Sequence, residues 1–162
     1  MPILHVIVAS TREGRAGQPV AEWFLEHARA DGRFQPELVD LKAMNLPMLD
    51  EPHHPRLRNY THAQTREWSA TVDRADAFVF VLPEYNHFAP PALVNAIDHL
   101  YWEWQCKAAS FVSYGGASGG MRSMQSLKPM LTGLKVMPLP ESVSIHFVAQ
   151  QIKDGVFSAS EP

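Results

Sequence analysis

Cysteine is almost absent: Cys106 stands alone in 162 residues, so no disulfide can close within the chain. A single thiol fits a reducing compartment, and a cytoplasmic protein is expected. Long apolar runs are missing too. The opening MPILHVIVAS has no charged segment before it, is too short to cross a bilayer, and meets polar residues at once. Membrane insertion is therefore not expected. There is no basic excess either: 14 Lys and Arg face 17 Asp and Glu, for a net charge of -3. That balance argues against a general nucleic-acid binder while leaving room for a local basic pocket. Repeats, low-complexity tracts and a composition break are also lacking, so residues 1–162 read as one domain. What is present is ordinary globular material, 46% apolar and 19% charged, in a chain long enough for one continuous core.

Ile3 to Ala9 is rich in β-branched residues and ends in STREGRAGQ, the form of a buried strand feeding a polar loop. From Pro19 onward Val20, Phe24 and Ala28 recur at helical spacing, with Ala21 and Leu25 on the next row, until Asp31, Gly32 and Arg33 stop the helix. FQPELVDL reads as a second strand, with Pro36 marking its start or a sheet edge. KAMNLPMLDEPHHPRLRNYT holds Pro47, Pro52 and Pro55 without a period and is expected as a long loop, a feature that in compact domains is often functional. Helical signal returns over about residues 61–74. ADAFVFVLP is the clearest strand, since Phe78 to Leu82 are apolar without alternation and so are buried on both faces.

After the next prolines, Leu93, Ile97, Leu100, Tyr101 and Trp104 share one helical face. KAASFVSYGG gives a fourth strand. GGMRSMQSLKPMLTGL gives a helix that Pro129 should kink or split. KVMPLP and SVSIHF supply a short fifth strand and its extension. The tail QQIKDGVFSASEP carries no motif and is expected to fray. Strands alternating with helices imply an α/β fold: a parallel sheet, covered on both faces, joined by right-handed crossovers. Ligands then bind beyond the carboxyl ends of the strands, where the strand order reverses.

Three loops lie at such ends. In STREGRAGQPV, Ser10, Thr11, Arg12 and Arg15 precede a helix whose first N–H groups are unpaired, and Gly14 and Gly17 let the backbone curl. Hydroxyls, guanidinium groups and free amides suit a phosphate monoester. The same residues also suit a solvated turn. The loop lacks the lysine of the triphosphate-binding pattern and the glycine spacing of the dinucleotide fingerprint. In PEYNHFAP, Pro83 ends the strand ladder and frees the following amides to face a flat ligand. Tyr85 and Phe88 suit the cover of an apolar ring. Asn86 either caps the following helix or bonds a ligand edge. Glu84 is either a site group or a solvated carboxylate. His87 either approaches a second substrate or is a plain loop histidine. In SYGGASGGMR, Gly115 and Gly116 allow close backbone approach, and Tyr114 is either a ring wall or a half-buried strand end.

Taken together, STREGRAGQPVAEW, PEYNHFAPPALVNAIDHL and SYGGASGGMR resemble the NADPH-dependent FMN reductase family, in order and over nearly the whole chain. The resemblance implies a flavodoxin-like, doubly wound, five-stranded parallel sheet of order 2-1-3-4-5 with helices on both faces. It implies FMN as cofactor, NADPH or NADH as co-substrate, and a small-molecule electron acceptor: a quinone, flavin, azo or nitro compound, or metal oxyanion. By position, Ser10, Arg12, Arg15, Gly17, Gln18 and Val20 would surround the FMN phosphate and ribityl chain. Pro83, Glu84, Tyr85 and Asn86 would line the isoalloxazine, and Ser113, Tyr114, Gly115 and Gly116 would meet its other edge. Arg15 departs from the serine many members carry there, and no asparagine stands near Gly17. Members commonly form homodimers or homotetramers, which makes Tyr101, Trp102 and Trp104 interface candidates, with core packing as the alternative. Direct hydride transfer with ping-pong order needs no general base, so no catalytic side chain is nominated.

Two other classes stay open: a flavodoxin-like electron carrier served by a protein partner, and a flavin-free α/β binding module that keeps the scaffold alone. His53 and His54 sit without a nearby cysteine or paired carboxylates, so no metal site is expected. His5 reads as a satisfied core or edge histidine, and Cys106 as a structural thiol.

Overall fold

The computed structural model describes residues 1–159. In chain order it forms β1 (Ile3–Val8), α1 (Gly17–Asp31), β2 (Gln35–Asp40), α2 (Leu41–Met44), α3 (Ala63–Arg74), β3 (Ala77–Pro83), α4 (Pro91–Asp98), β4 (Ala108–Tyr114), α5 (Met121–Gly133), β5 (Met137–Ile145), β6 (Ile152–Lys153) and β7 (Val156–Phe157). Short 3-10 turns stand at Pro55–Leu57, Trp102–Trp104 and Val148–Gln151. The main sheet has five strands in the order β2-β1-β3-β4-β5, every pair parallel. The order reverses between β1 and β3, so the crevice at that reversal is flanked by the loops leaving β1 and β3.

The two faces carry different side chains. Ile7, Phe78, Phe80 and Phe111 point to one side, beneath Trp68 of α3, Leu93 and Ile97 of α4 and Leu127 of α5. Val6, Val8, Val79, Val81 and Val112 point to the other, beneath Val20, Ala21 and Leu25 of α1. Both parities of β1 and β3 are therefore buried, which is why those strands read as apolar runs without alternation. The outer strands β2 and β5 each carry proline, at Pro36 and at Pro138 and Pro140. Gln35 donates its N–H inward to Pro2 O at 2.9 Å, and Met137 donates inward to Lys107 O at 2.9 Å.

Several expectations change. α4 stops at Asp98 instead of running to Trp104. Its last carbonyls are taken by indoles: Trp68 Nε1 donates to Ala96 O at 2.7 Å and Trp104 Nε1 to Ile97 O at 3.1 Å. Trp104 is fully buried from its own 3-10 turn, while Trp102 stays 43% exposed. α5 passes through Pro129 without splitting. Pro129 and Gln125, whose carbonyl loses its partner there, both lie on the exposed side, where water can replace the bond. The two segments expected as β5 and its extension form one strand with a register irregularity opposite Ala109 and Phe111.

The proline-rich segment after α2 is pinned rather than loose. Asn95 accepts from Leu49 N at 2.9 Å and donates to Pro47 O at 2.8 Å, and Glu51 accepts from Thr61 N at 2.7 Å and His62 N at 3.0 Å. The tail, expected to fray, folds into the β6–β7 hairpin, whose Phe157 meets Trp23 edge-on at 5.3 Å; residues 160–162 lie outside the described residues. His5 is fully buried, and neither ring nitrogen has a hydrogen-bond partner among the described residues, with Glu37 Oε2 standing 3.7 Å from Nε2, so the hydrogen-bond satisfaction expected of it is not met.

Candidate active site at the strand exits

The loop between β1 and α1 borders a cavity of about 220 Å³ formed by Ser10, Arg12, Glu13, Gly14, Arg15, Ala16, Pro83, Tyr85 and Tyr114. Gly14 turns there with φ +62°, a conformation that costs side-chain-bearing residues strain. Ser10 is nearly buried and shares a hydrogen bond of 2.8 Å with the Tyr85 hydroxyl. Arg15 donates from Nη2 to Asp40 Oδ2 at 2.6 Å. The other Asp40 oxygen accepts from Lys42 N at 3.0 Å and so caps α2. Arg15 Nε is buried without a partner among the described residues. Arg12 differs: it makes no ion pair among the described residues and lies 6.0 Å from the Tyr85 ring centre. Glu13 is outward and paired with Lys42, whose hydrogen bond and charge hold its carboxyl below the usual range.

The loop after β3 begins with a tight turn. Tyr85 N donates to Phe88 O, and Phe88 N returns the bond to Tyr85 O, both at 3.0 Å. Asn86 and His87 between them have φ +50° and +66°. Positive φ at both central residues is the two-residue hairpin geometry that asparagine favours. Asn86 therefore makes the turn and does not cap α4, whose N-cap is Pro90. Beyond the turn, Arg12, Glu84, Tyr85, Asn86, Phe88, Ala89 and Pro91 line an open hollow of about 620 Å³. Phe88 is 54% exposed there.

Glu84 borders this hollow while its carboxylate is bound to α5 and the loop before it. It accepts from Ser118 Oγ at 2.9 Å, Arg122 N at 3.2 Å and Arg122 Nε at 2.7 Å. Burial raises its pKa, but the hydrogen bonds from Arg122 and Ser118 together outweigh burial and hold it low. Glu84 thus supplies the cap that Gly120 cannot give α5, and it ties the second loop to the third.

The third loop is held from below. Gly115 N donates to Ile145 O at 3.1 Å, Phe147 N to Gly116 O at 3.0 Å and Val148 N to Gly115 O at 3.1 Å. Gly120 has φ +78°, and a Cβ on it would stand 2.7 Å from Tyr114 backbone atoms. Ser113 donates to Gly119 O at 2.8 Å and meets Ser144 Oγ at 3.1 Å, so its hydroxyl serves the loop itself. The Tyr114 side chain runs the other way, to the first loop, where it lines the smaller cavity.

The three exits therefore meet. Ser10, Arg12, Arg15, Pro83, Tyr85 and Tyr114 border one cavity, with Glu84 and Asn86 on the adjoining hollow. Other residues named from the sequence place no side chain on either cavity. Val20 is fully buried in the core beneath α1, and Gln18 donates to Glu22 at 2.7 Å while its Oε1 accepts from Arg15 at 3.5 Å. Gly17 lies against Tyr114, and Gly115 and Gly116 line neither cavity. Asp40 was missed. Its signal was a carboxylate at a strand end directly before a helix start. Ser118 and Arg122 were missed as partners of Glu84, because nothing in a sequence links positions more than thirty residues apart.

The chain is similar to known proteins over most of its length. The chain is 38% identical over 157 residues to an NAD(P)H-dependent FMN reductase of Schizosaccharomyces pombe, covering 96% of this chain and 78% of that protein. It is 33% identical to an NAD(P)H-dependent FMN reductase of Saccharomyces cerevisiae, covering 87% and 88% of the two chains. Among solved structures it superposes on the flavoenzyme NAD(P)H:acceptor oxidoreductase of Paracoccus denitrificans with a TM-score of 0.73 at 22% identity, covering 97% of this chain and 86% of that one, a likeness of fold. The family described as NADPH-dependent FMN reductase matches residues 2–150. A helix-start cavity lined by two arginines beside an aromatic turn, in a sheet of this order, is thus found in a chain that belongs to the NADPH-dependent FMN reductase family.

Proposed function

We propose that this chain is an FMN-dependent NAD(P)H oxidoreductase that reduces a small acceptor (a quinone, flavin, azo or nitro compound, or metal oxyanion) in ping-pong order. The observation that carries this reading is the position of Arg12. It borders both the 220 Å³ cavity and the 620 Å³ hollow, and no carboxylate neutralises it among the described residues. A ligand with an anionic end and a flat apolar end would engage both sides of that one guanidinium.

The donor set fits FMN. The Ser10 hydroxyl, Arg12, Arg15 and the first N–H groups of α1 would hold the phosphate. Pro83 to Asn86 would present backbone edges to the ring system, with the Tyr85 and Phe88 side chains as apolar cover. Bound FMN supplies the two-electron chemistry, taking hydride from NAD(P)H and delivering the electrons to the acceptor. The protein's part is orientation. Glu84 bonds α5, the Tyr85–Phe88 turn is closed on itself, and Ser113 locks the third loop, so the walls are rigid before any ligand arrives. No side chain is required to move a proton for hydride transfer.

Relatives named a quinone reductase in Pseudomonas putida and an NADPH azoreductase in Bacillus support the acceptor class. No helix among the described residues is long and apolar enough to cross a membrane. The exposed side chains Met48, Leu49, Leu57, Phe88 and Trp102 support a homodimer or homotetramer, working in the cytoplasm where Cys106 stays reduced. The test is titration with FMN, followed by initial rates of NADPH and NADH oxidation with a benzoquinone. Parallel double-reciprocal lines are expected. Protein that stays colourless with excess FMN, or that binds FMN and never oxidises a nicotinamide, refutes the proposal.

A further inference from the structure

Tyr114 is 4% exposed, and its hydroxyl makes no hydrogen bond of good geometry among the described residues, although the Ser10 hydroxyl approaches it. Buried hydroxyls are nearly always partnered, because leaving one bare is costly. A phenylalanine would fill the same space without that cost. The hydroxyl does not face an apolar wall, for Tyr114 lines the 220 Å³ cavity together with Ser10, Arg12 and Arg15. Ser10, the neighbouring hydroxyl, is already engaged with Tyr85 at 2.8 Å.

The surrounding backbone is shaped to admit this phenol. A Cβ on Gly17 would stand 2.6 Å from Tyr114 Oη. Gly17 is the first residue of α1, so the hydroxyl lies beside the unpaired N–H groups of that helix. Glycine at this position makes room for the tyrosine. Burial, and after it the nearby Tyr85, push the Tyr114 pKa upward against smaller opposing effects of Ser10, Arg15 and Arg12. The shift favours the protonated phenol, the form that can donate.

We propose that Tyr114 Oη donates a hydrogen bond to the phosphomonoester of the cofactor, and that it makes the site prefer FMN to riboflavin. This rests on the FMN reading above and adds a ligand from the third strand exit to a phosphate site otherwise built from the first. The sequence-based assignment of Tyr114 to the ring edge gives way to the opposite end of the same ligand.

The test compares wild type with Tyr114→Phe by fluorescence titration with FMN and with riboflavin, alongside thermal melting without ligand. FMN binding should weaken by about tenfold, the size of a charge-assisted hydrogen bond. Riboflavin binding should not change. The ligand-free melting temperature should stay level or rise, since an unpaired buried oxygen has been removed. Gly17→Ala, which crowds the phenol without deleting it, should show the same selective loss. Unchanged FMN affinity in Tyr114→Phe overturns the proposal. So does an equal loss for both flavins, or a variant that melts lower or fails to fold, because the hydroxyl would then be structural. Wild-type protein that takes up no FMN overturns the functional reading itself.

Discussion

Arg12 and Arg15 stand three positions apart in one loop and have opposite electrostatic settings. Arg15 is neutralised by Asp40 at 2.6 Å, whereas Arg12 faces only the Tyr85 ring among the described residues. Replacing Arg12 with alanine should therefore weaken FMN binding by about 1.5–3 kcal/mol while leaving the melting temperature nearly unchanged. Calorimetric titration checks this, and equal affinities would remove Arg12 from the site. His5 gives a second prediction. Burial, with Arg74 as the next cause, lowers its pKa to about 4 from an ordinary 6.5. The fold thus holds the neutral form and the unfolded chain binds the proton more readily. The stability concerned is fully present above pH 6.5 and is lost as the pH falls toward 4, by about 3 kcal/mol. Denaturant titrations at pH 7 and pH 4.5 should differ less in His5→Leu than in wild type. At this scale the sequence revealed which residue types gather at the strand ends, but not where they point. Glu84, Asn86 and Tyr114 were all singled out; Glu84 is bonded to α5, Asn86 makes its own turn, and Tyr114 packs against Gly17 of α1.

Among the elements, the Tyr85–Phe88 turn carries local strain, because His87 occupies a left-handed position at φ +66° that glycine fills more easily. His87→Gly should raise stability by about 0.5–1 kcal/mol in denaturant melts, and an equal or larger loss would show that the imidazole makes an offsetting contact. α5 offers a complementary case. Its N-cap is glycine, so Glu84 supplies the acceptor from another loop. Glu84→Ala should cost about 1–2 kcal/mol and speed amide exchange in the first turn of α5 and in the loop before it. Strands were readable because a parallel sheet buries both of their faces, which leaves a plain apolar run. α4 was misjudged because Leu100 and Trp104 fall on its continued helical face. Trp104 is buried instead from a separate turn, and its indole bonds the Ile97 carbonyl, which Leu100 N also reaches. Long-range acceptors of that sort leave no periodic trace.

For the whole molecule, alternating strand and helix patterns were enough for the class, and the strand order followed from the family likeness. Neither source foretold the division of the core into an aromatic side and a valine side. Phe80→Ala, on the aromatic side, should cost about 3–5 kcal/mol, and Val79→Ala on the other about half as much, measured as shifts in denaturant midpoint. The rims of the sheet carry a different consequence. Because Gln35 and Met137 direct their amides inward, alternation sets Pro36 and Pro138 at outward-facing positions. An incoming strand would meet a missing donor on either flank. The protein can therefore expose both borders of its sheet at high concentration without seeding end-on filaments, and converting both prolines to valine should make its solutions turn turbid on standing.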